Sequence, residues 1–170
     1  MAAHRPGTKE PLPLHERALG LLAVRQRSRR ELRTRLLAAG FDAEAVDEEL
    51  AALEAVGLVD DEAFARAVVE RAGRRLDGRR AVRSALGAKG VERSVIERAL
   101  EDGVPGDPGG SEDERALTLA RARAARLAGL SPEAAHRRLS SFLARRGYDG
   151  GVARRAATAA LALEGAGDAD

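Results

Sequence analysis

The sequence predicts an all-α protein, an elongated array of three tandem three-helix repeats with about nine helices. The main observation is one pattern that occurs three times. Apolar residues stand eight and four positions before a glycine, and the glycine is followed by an apolar or aromatic residue and then by an acid. One helix–turn–helix unit has therefore been used three times. The copies are Leu32, Leu36, Gly40, Phe41, Asp42; Val82, Leu86, Gly90, Val91, Glu92; and Leu139, Leu143, Gly147, Tyr148, Asp149.

Composition favours thin helix contacts over one deep core. The chain has 170 residues, of which 44% are hydrophobic and only 2% aromatic, and alanine supplies much of the apolar fraction. It has no cysteine, which excludes disulfides and thiolate metal sites. The longest apolar runs are far shorter than the roughly 20 residues that span a bilayer, and the first residues do not resemble a signal peptide. We expect a cytoplasmic protein with no membrane partner.

Three helices are predicted over residues 14–59, the first repeat. The first helix carries an apolar stripe at helical spacing. The second begins at Ser28 with a capping-box pattern, in which the Ser28 hydroxyl can accept a hydrogen bond from the Glu31 amide while the Glu31 carboxylate reaches back. Gly40 ends this helix, because glycine adopts the left-handed conformation of a C-terminal cap. Asp42 can then cap the third helix.

The second repeat is predicted over residues 60–103 and the third over residues 112–163. In the second repeat, the middle helix ends at Gly90. In the third, Ser131 and the proline after it mark the start of the middle helix, since proline is tolerated at the first helical position. Gly147 ends that helix.

Three segments are predicted to lie outside the repeats. Residues 1–13 hold three prolines and form a flexible N-terminal tail. Residues 104–111 are a linker, because their prolines and glycines cannot sustain a helix. A flexible linker would allow the third repeat to swing on binding a partner. Residues 164–170 form a disordered C-terminal tail.

Charge alternates along the chain although the net charge is only +2. Residues 25–35 contain six arginines and one acid, whereas residues 42–54 contain six acids and no base. Arginines are again concentrated in residues 71–83 and 121–146. Such basic faces can meet phosphates or an acidic protein surface, or they can be solvated helix faces that pair with one another.

No catalytic or metal-binding constellation is recognisable. The three histidines, His4, His15 and His136, lack the spacing of metal ligands. Ser111 and Ser131 fit helix caps better than nucleophiles, because no histidine–carboxylate pattern accompanies them. We therefore expect a non-enzymatic protein without cofactor or metal.

Aromatic residues are too few for a row of base-stacking platforms. Phe41, Val91 and Tyr148 are each predicted to fill the corner of a repeat, with base stacking as the alternative for Tyr148. Any affinity for nucleic acid should then come mainly from phosphate contacts, with strong salt dependence and weak sequence preference.

Three segments resemble the bacterial regulatory protein RecX family. The stretch SRRELRTRLLAAGFD, from Ser28, resembles the first-repeat helix pair of that family. GLVDDEAFA, from Gly57, is similar to the junction into its second repeat, and GRRAVRSALGAKGV, from Gly78, is similar to its second-repeat motif. The resemblance covers about residues 14–163.

The resemblance implies a partner and a role. Proteins of this family bind the RecA recombinase and its filament on single-stranded DNA, either along the filament groove or as a block to filament extension. They suppress the ATPase and strand-exchange activities of RecA in recombination, the SOS response and DNA repair. We expect a monomer that binds RecA and has weak non-specific affinity for DNA.

Clustering of charge suggests which residues make these contacts. The arginine-rich second helices are the candidates, a hypothesis that the resemblance does not supply residue by residue. The proposed contacts are Arg29, Arg30, Arg33, Arg79, Arg80, Arg83, Arg137 and Arg138.

Two other functions remain open at this point. A helix–turn–helix DNA-binding regulator would explain the glycine corners and basic helices, although base-reading asparagine and glutamine are scarce. A general helical-repeat adaptor for another protein would explain the acidic helices.

Overall fold

A computed structural model describes residues 12–103 and 111–167, and all regular secondary structure in these ranges is helical. This confirms the prediction of an all-α protein with tandem three-helix repeats. A short 3-10 helix, Ala125–Leu127, follows α7. The α-helices are α1 Leu14–Val24, α2 Arg29–Ala38, α3 Ala43–Ala55, α4 Asp61–Arg74, α5 Arg79–Ala88, α6 Arg93–Asp102, α7 Glu112–Ala124, α8 Pro132–Arg145 and α9 Gly150–Gly167.

The segments predicted outside the repeats are described only in part. The N-terminal tail lies outside the described residues except for Leu12 and Pro13, and the linker lies outside them except for Ser111. The last helix extends to Gly167 and so continues beyond its predicted end at residue 163. No described helix combines the length and the apolar character needed to cross a bilayer.

The chain divides into two compact units, and the first ends at Asp61. This unit contains α1 to α3. The Ser28 hydroxyl accepts from the Glu31 amide at 3.2 Å, as predicted, while the Glu31 carboxylate contacts Arg27 at 2.6 Å; Gly40 ends α2 at φ +91°. The buried core consists of Ala18, Leu32, Leu36, Val46, Leu50, Leu53 and Val59.

The second unit, from Glu62 onwards, contains the rest of the helices and two apolar clusters. One cluster lies among α4, α5 and α6 and includes Phe64, Leu86 and Ile96. The other lies among α7, α8 and α9, and eight of its thirteen buried residues are alanine. The expected thin, alanine-lined contacts therefore hold the third repeat together.

Backbone hydrogen bonds join the second and third repeats within this unit. The Gly78 amide donates to the Arg146 carbonyl at 2.9 Å, and the Arg80 amide donates to the Gly147 carbonyl at 3.0 Å. A Cβ atom on Gly78 would lie 2.3 Å from the Gly147 carbonyl carbon, so only glycine permits this approach. In this arrangement the third repeat is fixed to the second by main-chain contacts, and a swing about the linker would have to break them.

Replacement of Gly78 with alanine should therefore destabilise the protein, although its φ of −75° is ordinary for any residue. Separation of the two backbones should lower the free energy of unfolding in urea by about 1–3 kcal/mol. Gly87 in α5 is a matched control, because a Cβ there meets no atom within 4 Å. Gly87→Ala should raise the same free energy by about 0.5–1 kcal/mol, as expected in an exposed helix. Equal effects of the two substitutions would contradict the close approach.

Candidate partner-binding faces

The arginines of α2 lie against the acidic helix of their own repeat. The Arg33 guanidinium donates to both carboxylate oxygens of Asp47, from Nε at 2.7 Å and Nη2 at 2.8 Å. Arg29 Nε lies 3.0 Å from a Glu54 oxygen. The hydrogen bond from Arg33 holds the pKa of Asp47 below its usual range. Both arginines are half-buried, and part of their charge is neutralised within the repeat.

The second repeat has the same bidentate pair at the same place. Arg83 Nε and Nη2 donate to the two oxygens of Glu97 at 2.6 and 2.7 Å, and this lowers the pKa of the Glu97 carboxyl. In both repeats the arginine stands seven residues before the corner glycine and the acid stands seven residues after it. The glycine corner therefore places the two side chains opposite each other.

A carboxylate from the following repeat caps each of these second helices. Asp61 at the start of α4 accepts from the Arg29 amide at 2.8 Å. Glu112 at the start of α7 accepts from the Arg79 amide at 2.9 Å. The Asp61 side chain is half-buried, and this burial raises its pKa. Neither contact was predictable from the sequence, since nothing in the local pattern links residues more than thirty positions apart.

The third repeat lacks the arginine–carboxylate pair. Ser140 stands seven residues before Gly147, and Arg154 stands seven residues after it. Here a hydrogen-bond contact between the His136 ring and the Thr158 hydroxyl, at 3.2 Å, links α8 to α9. In the third repeat an arginine, Arg154, therefore stands on the third helix where the other two repeats have an acid.

One exposed arginine stands at the same position in each repeat, ten residues before the corner glycine. These residues are Arg30, Arg80 and Arg137, and none of them forms an ion pair with the described side chains of residues 12–103 and 111–162. Arg138 is exposed next to Arg137. Of the eight arginines singled out from the sequence, these four present the most accessible charge.

The repeats also differ in total charge, which the count of local arginine runs did not reveal. Residues 14–61 contain seven arginines and ten carboxylates, whereas residues 111–162 contain ten arginines and five carboxylates. The third repeat is therefore the basic part of the chain. A count over whole repeats would have shown this from the sequence.

Tyr148 is a core residue, which excludes the alternative of base stacking. Its side chain is fully buried, and its hydroxyl donates to the Leu76 carbonyl at 2.9 Å. Arg146 lies beside it and pairs with Asp77 at 2.9 Å. Leu76 has a positive φ of 52°, so the hydroxyl group stabilises a backbone conformation that leucine rarely adopts. Burial raises the pKa of Tyr148 to about 12.

The described histidines have structural contacts. His15 Nδ1 lies 2.8 Å from Glu49 Oε1, and His136 contacts Thr158. In the part of the chain that the structure describes, no three histidine, aspartate or glutamate side chains are grouped to hold a metal ion.

Comparison with protein families gives three matches along the chain. The models are described as RecX first, second and third three-helix domains, and they match residues 15–53, 60–100 and 111–157 respectively. Together they cover most of the sequence and follow the order of the repeats.

Individual proteins and structures agree with these matches. A protein named Regulatory protein RecX from Mycobacterium marinum is 40% identical over 165 residues, which is 94% of this chain and 92% of the relative. Another from Stenotrophomonas maltophilia is 37% identical over 152 residues, covering 89% and 88% of the two chains. The crystal structure of RecX from Lactobacillus salivarius has the same fold, with a TM-score of 0.76 at 20% identity over 86% of this chain and 94% of that chain.

Burial of Tyr148 predicts a specific loss of stability at alkaline pH. The unfolded tyrosine ionises near pH 10, whereas the folded one ionises near pH 12. The contribution of the buried, neutral Tyr148 side chain to the free energy of unfolding is complete below pH 10. Roughly 2 kcal/mol of it is lost as the pH rises towards 12. We expect this fall in the unfolding free energy in the wild-type chain and its absence in Tyr148→Phe, which is the matched control.

The same prediction has an independent optical measurement. Tyr148 is the single tyrosine and the chain has no tryptophan, so the ultraviolet absorbance of tyrosinate reports this residue alone. A midpoint near pH 10 in the folded protein would contradict the buried position.

Proposed function

Because the chain belongs to the RecX family of regulatory proteins, we propose that it is a non-enzymatic modulator of the RecA recombinase. In this proposal it binds the RecA filament on single-stranded DNA and limits filament extension, ATP hydrolysis and strand exchange, in the cytoplasm and as a monomer. The partner comes from the family resemblance. The observation from this chain that carries the proposal is the exposed arginine repeated once per repeat, at Arg30, Arg80 and Arg137.

A repeated cation suits a polymeric partner. A filament offers the same surface many times, and a chain with three copies of one contact can use several of these surfaces together. Each exposed charge contributes little alone, but linked contacts raise the overall affinity through effective concentration. Single substitutions should therefore have small effects, and combined substitutions should have large ones.

The eight arginines divide into two roles in this proposal. Arg30, Arg80, Arg137 and Arg138 make direct contacts, because their charges are exposed and unpaired within the described part of the chain. The other four, Arg29, Arg33, Arg79 and Arg83, are half-buried and lie close to carboxylates of the third helix. These four arginines position the second helices, and their pairing with carboxylates reduces the positive charge that the second helices present.

A sequence-specific DNA regulator fits this chain less well. The sequence contains one glutamine and no asparagine, the amides that read adenine in the major groove. An adaptor for another protein is distinguished from the proposal by the experiment with RecA.

The direct test is ATP hydrolysis by the host RecA on single-stranded DNA, titrated with this protein. Inhibition at amounts well below stoichiometric with RecA is the expected result, because a modulator that limits extension acts at few sites per filament. Inhibition that only follows sequestration of DNA, and that disappears with excess DNA, would favour a DNA-binding protein. No inhibition and no binding to the filament would favour the adaptor.

Simultaneous charge reversal at the repeated position should weaken this inhibition. We expect Arg30→Glu, Arg80→Glu and Arg137→Glu together to raise the concentration required for half-inhibition by about tenfold or more, since three linked cations are replaced by anions. Circular dichroism should be unchanged, because none of these side chains is buried.

The matched control reverses one exposed arginine on the first helix of each repeat. Arg17→Glu, Arg71→Glu and Arg121→Glu together change the net charge by the same amount at exposed arginines that form no ion pair among the described side chains. This variant should inhibit within about twofold of the wild type at physiological salt, where exposed charges that do not touch the partner are largely screened. Equal weakening by both triple variants would show that only total charge matters and would contradict the assignment of the face.

A further inference from the structure

We infer that the C-terminal end of α3 and the turn after it form a docking surface for protein, centred on Val56 and Leu58. Its occupant is a surface of a RecA protomer that has an apolar centre and cations at its edge. This inference deepens the proposed function and rests on it for the identity of the partner. It assigns to the first repeat a contact whose chemistry is opposite to that of the arginine faces.

The first argument is the exposure of two large apolar side chains that are close together in the chain. Val56 is 69% exposed and Leu58 is 53% exposed, and only Gly57 separates them. Ala51 and Ala55 are exposed on the helix before them. The other large hydrophobic residues exposed in the described chain are single residues along α1 and just before it. Single exposed hydrophobic residues are common on protein surfaces, whereas grouped ones mark interaction sites.

The second argument is that the backbone holds this pair in one conformation. The Leu58 amide donates to the Leu53 carbonyl at 2.9 Å, and the Gly57 amide donates to the Glu54 carbonyl at 3.0 Å. With Gly57 at φ +72°, these are the two hydrogen bonds of a Schellman turn. The next residue, Val59, is buried in the core and anchors the turn. A partner therefore meets a preformed surface and loses little affinity to the ordering of the turn.

The third argument is the charge beside the apolar pair. The helix α3 contains no basic residue. Glu44 and Glu48 are exposed on its outer face, in line with Ala51 and Ala55 at helical spacing, and neither forms an ion pair among the described side chains. These carboxylates would repel the phosphates of nucleic acid. A protein surface with cations at its edge is the complementary partner.

The size of the surface argues against a second copy of this chain as the occupant. A stable interface uses roughly 20–30 residues on each side, whereas this surface offers one apolar pair and a few alanines. A symmetric dimer would contribute the same acid-bearing face from both copies. The basic third repeat has no large exposed hydrophobic residue within residues 111–162 to cover the pair.

The surface therefore suits a partner that other contacts of the same chain already hold. In the proposed function this partner is RecA in the filament, to which the repeated arginines bind. Linked contacts raise the overall affinity even when each is small. The apolar contact adds affinity that salt does not screen, which the arginines alone cannot supply.

The test measures binding of the full chain, labelled at its N-terminus, to RecA filaments on oligo(dT) by fluorescence anisotropy at low and high salt. Val56→Gln combined with Leu58→Gln should raise the dissociation constant by about tenfold or more, because two apolar side chains that the partner covers become polar. The fold-change should be the same at both salt concentrations, because salt screens charges and not apolar contacts. Binding to naked oligo(dT) should stay within about twofold of the wild type, because phosphate does not contact this face.

The matched control is Leu12→Gln combined with Val24→Gln. These residues are of the same two types and are 54% and 76% exposed, but Leu12 lies just before α1 and Val24 ends it. Filament binding should stay within about twofold of the wild type, because isolated exposed hydrophobic residues need no partner. Urea unfolding should show that both double variants remain folded, because all four side chains are exposed.

A charge variant tests the edge of the surface independently of the apolar pair. Glu44→Lys combined with Glu48→Lys should raise the dissociation constant for the filament by about threefold or more, because it sets cations against the cations of the partner. The same variant should bind naked oligo(dT) more tightly, because added cations attract phosphate. Opposite changes in the two assays cannot arise from total charge or from unfolding.

Several results would overturn the inference. Unchanged filament affinity in the Val56/Leu58 variant, or an equal loss in the Leu12/Val24 control, would remove the assignment of the surface. Tighter filament binding by the Glu44/Glu48 variant would contradict the cations at the edge of the partner. An equal loss of naked oligo(dT) binding would assign the surface to DNA. A wild-type dimer in sedimentation equilibrium that the Val56/Leu58 variant abolishes would assign it to a second copy.

The outcome is separable from that for the proposed function. If the wild type inhibits RecA and the Val56/Leu58 variant binds and inhibits equally well, the docking surface fails and the proposed function stands. If the wild type neither binds the filament nor inhibits RecA, the proposed function fails, and the occupant assigned to this surface fails with it.

Discussion

The left-handed glycine between the second and third helices is the constraint on which the rest of each repeat depends. Gly40, Gly90 and Gly147 have φ values of +91°, +75° and +87°, a region that other residues enter only with strain. Each glycine stops one helix and allows the next to start after two residues. The residue that follows, Phe41, Val91 or Tyr148, is thereby directed into the core. The pairing of the second and third helices, and the surface charges that this pairing brings together, follow from this turn.

The same turn explains how electrostatic character could change between repeats with little change in structure. It places positions seven residues before and after the glycine opposite each other on the surface. Ion pairs of this kind, whose side chains are partly exposed, contribute little to stability because water screens their charges. An arginine at position 154, where the other repeats have Asp47 or Glu97, therefore has little effect on folding, whereas it changes the surface potential strongly. The glycine turn preserves the fold, whereas the residues at these two positions determine the charge of the surface.

Local patterns were sufficient to predict the helices, their caps and most of the buried face. Ser28 and Asp42 cap helices as their spacing indicated, because capping depends on residues within one turn. Contacts between residues far apart in sequence could not be predicted. The approach of Gly78 to Gly147 and the capping of α2 by Asp61 depend on tertiary packing, which leaves no periodic signal.

The candidate site was predictable only in outline. Arginine clusters on second helices are visible in the sequence, but the difference between Arg30, which is exposed, and Arg33, which is paired with Asp47, depends on three-dimensional geometry. The charge reversal at Arg154 was not predicted, because it is recognisable only when the ion pairs at the same position in the other repeats are known.

The backbone contact at Gly78 also limits how the repeats can be rearranged. In the first repeat, the position of Gly78 is occupied by Ser28, whose side chain is fully buried and caps its own helix. A Cβ atom at that position could not approach the corner of the third repeat. The first and second repeats are therefore not interchangeable modules, although they share one pattern. A single hydrogen atom in place of a side chain at Gly78 therefore constrains which of these two copies can precede the third repeat.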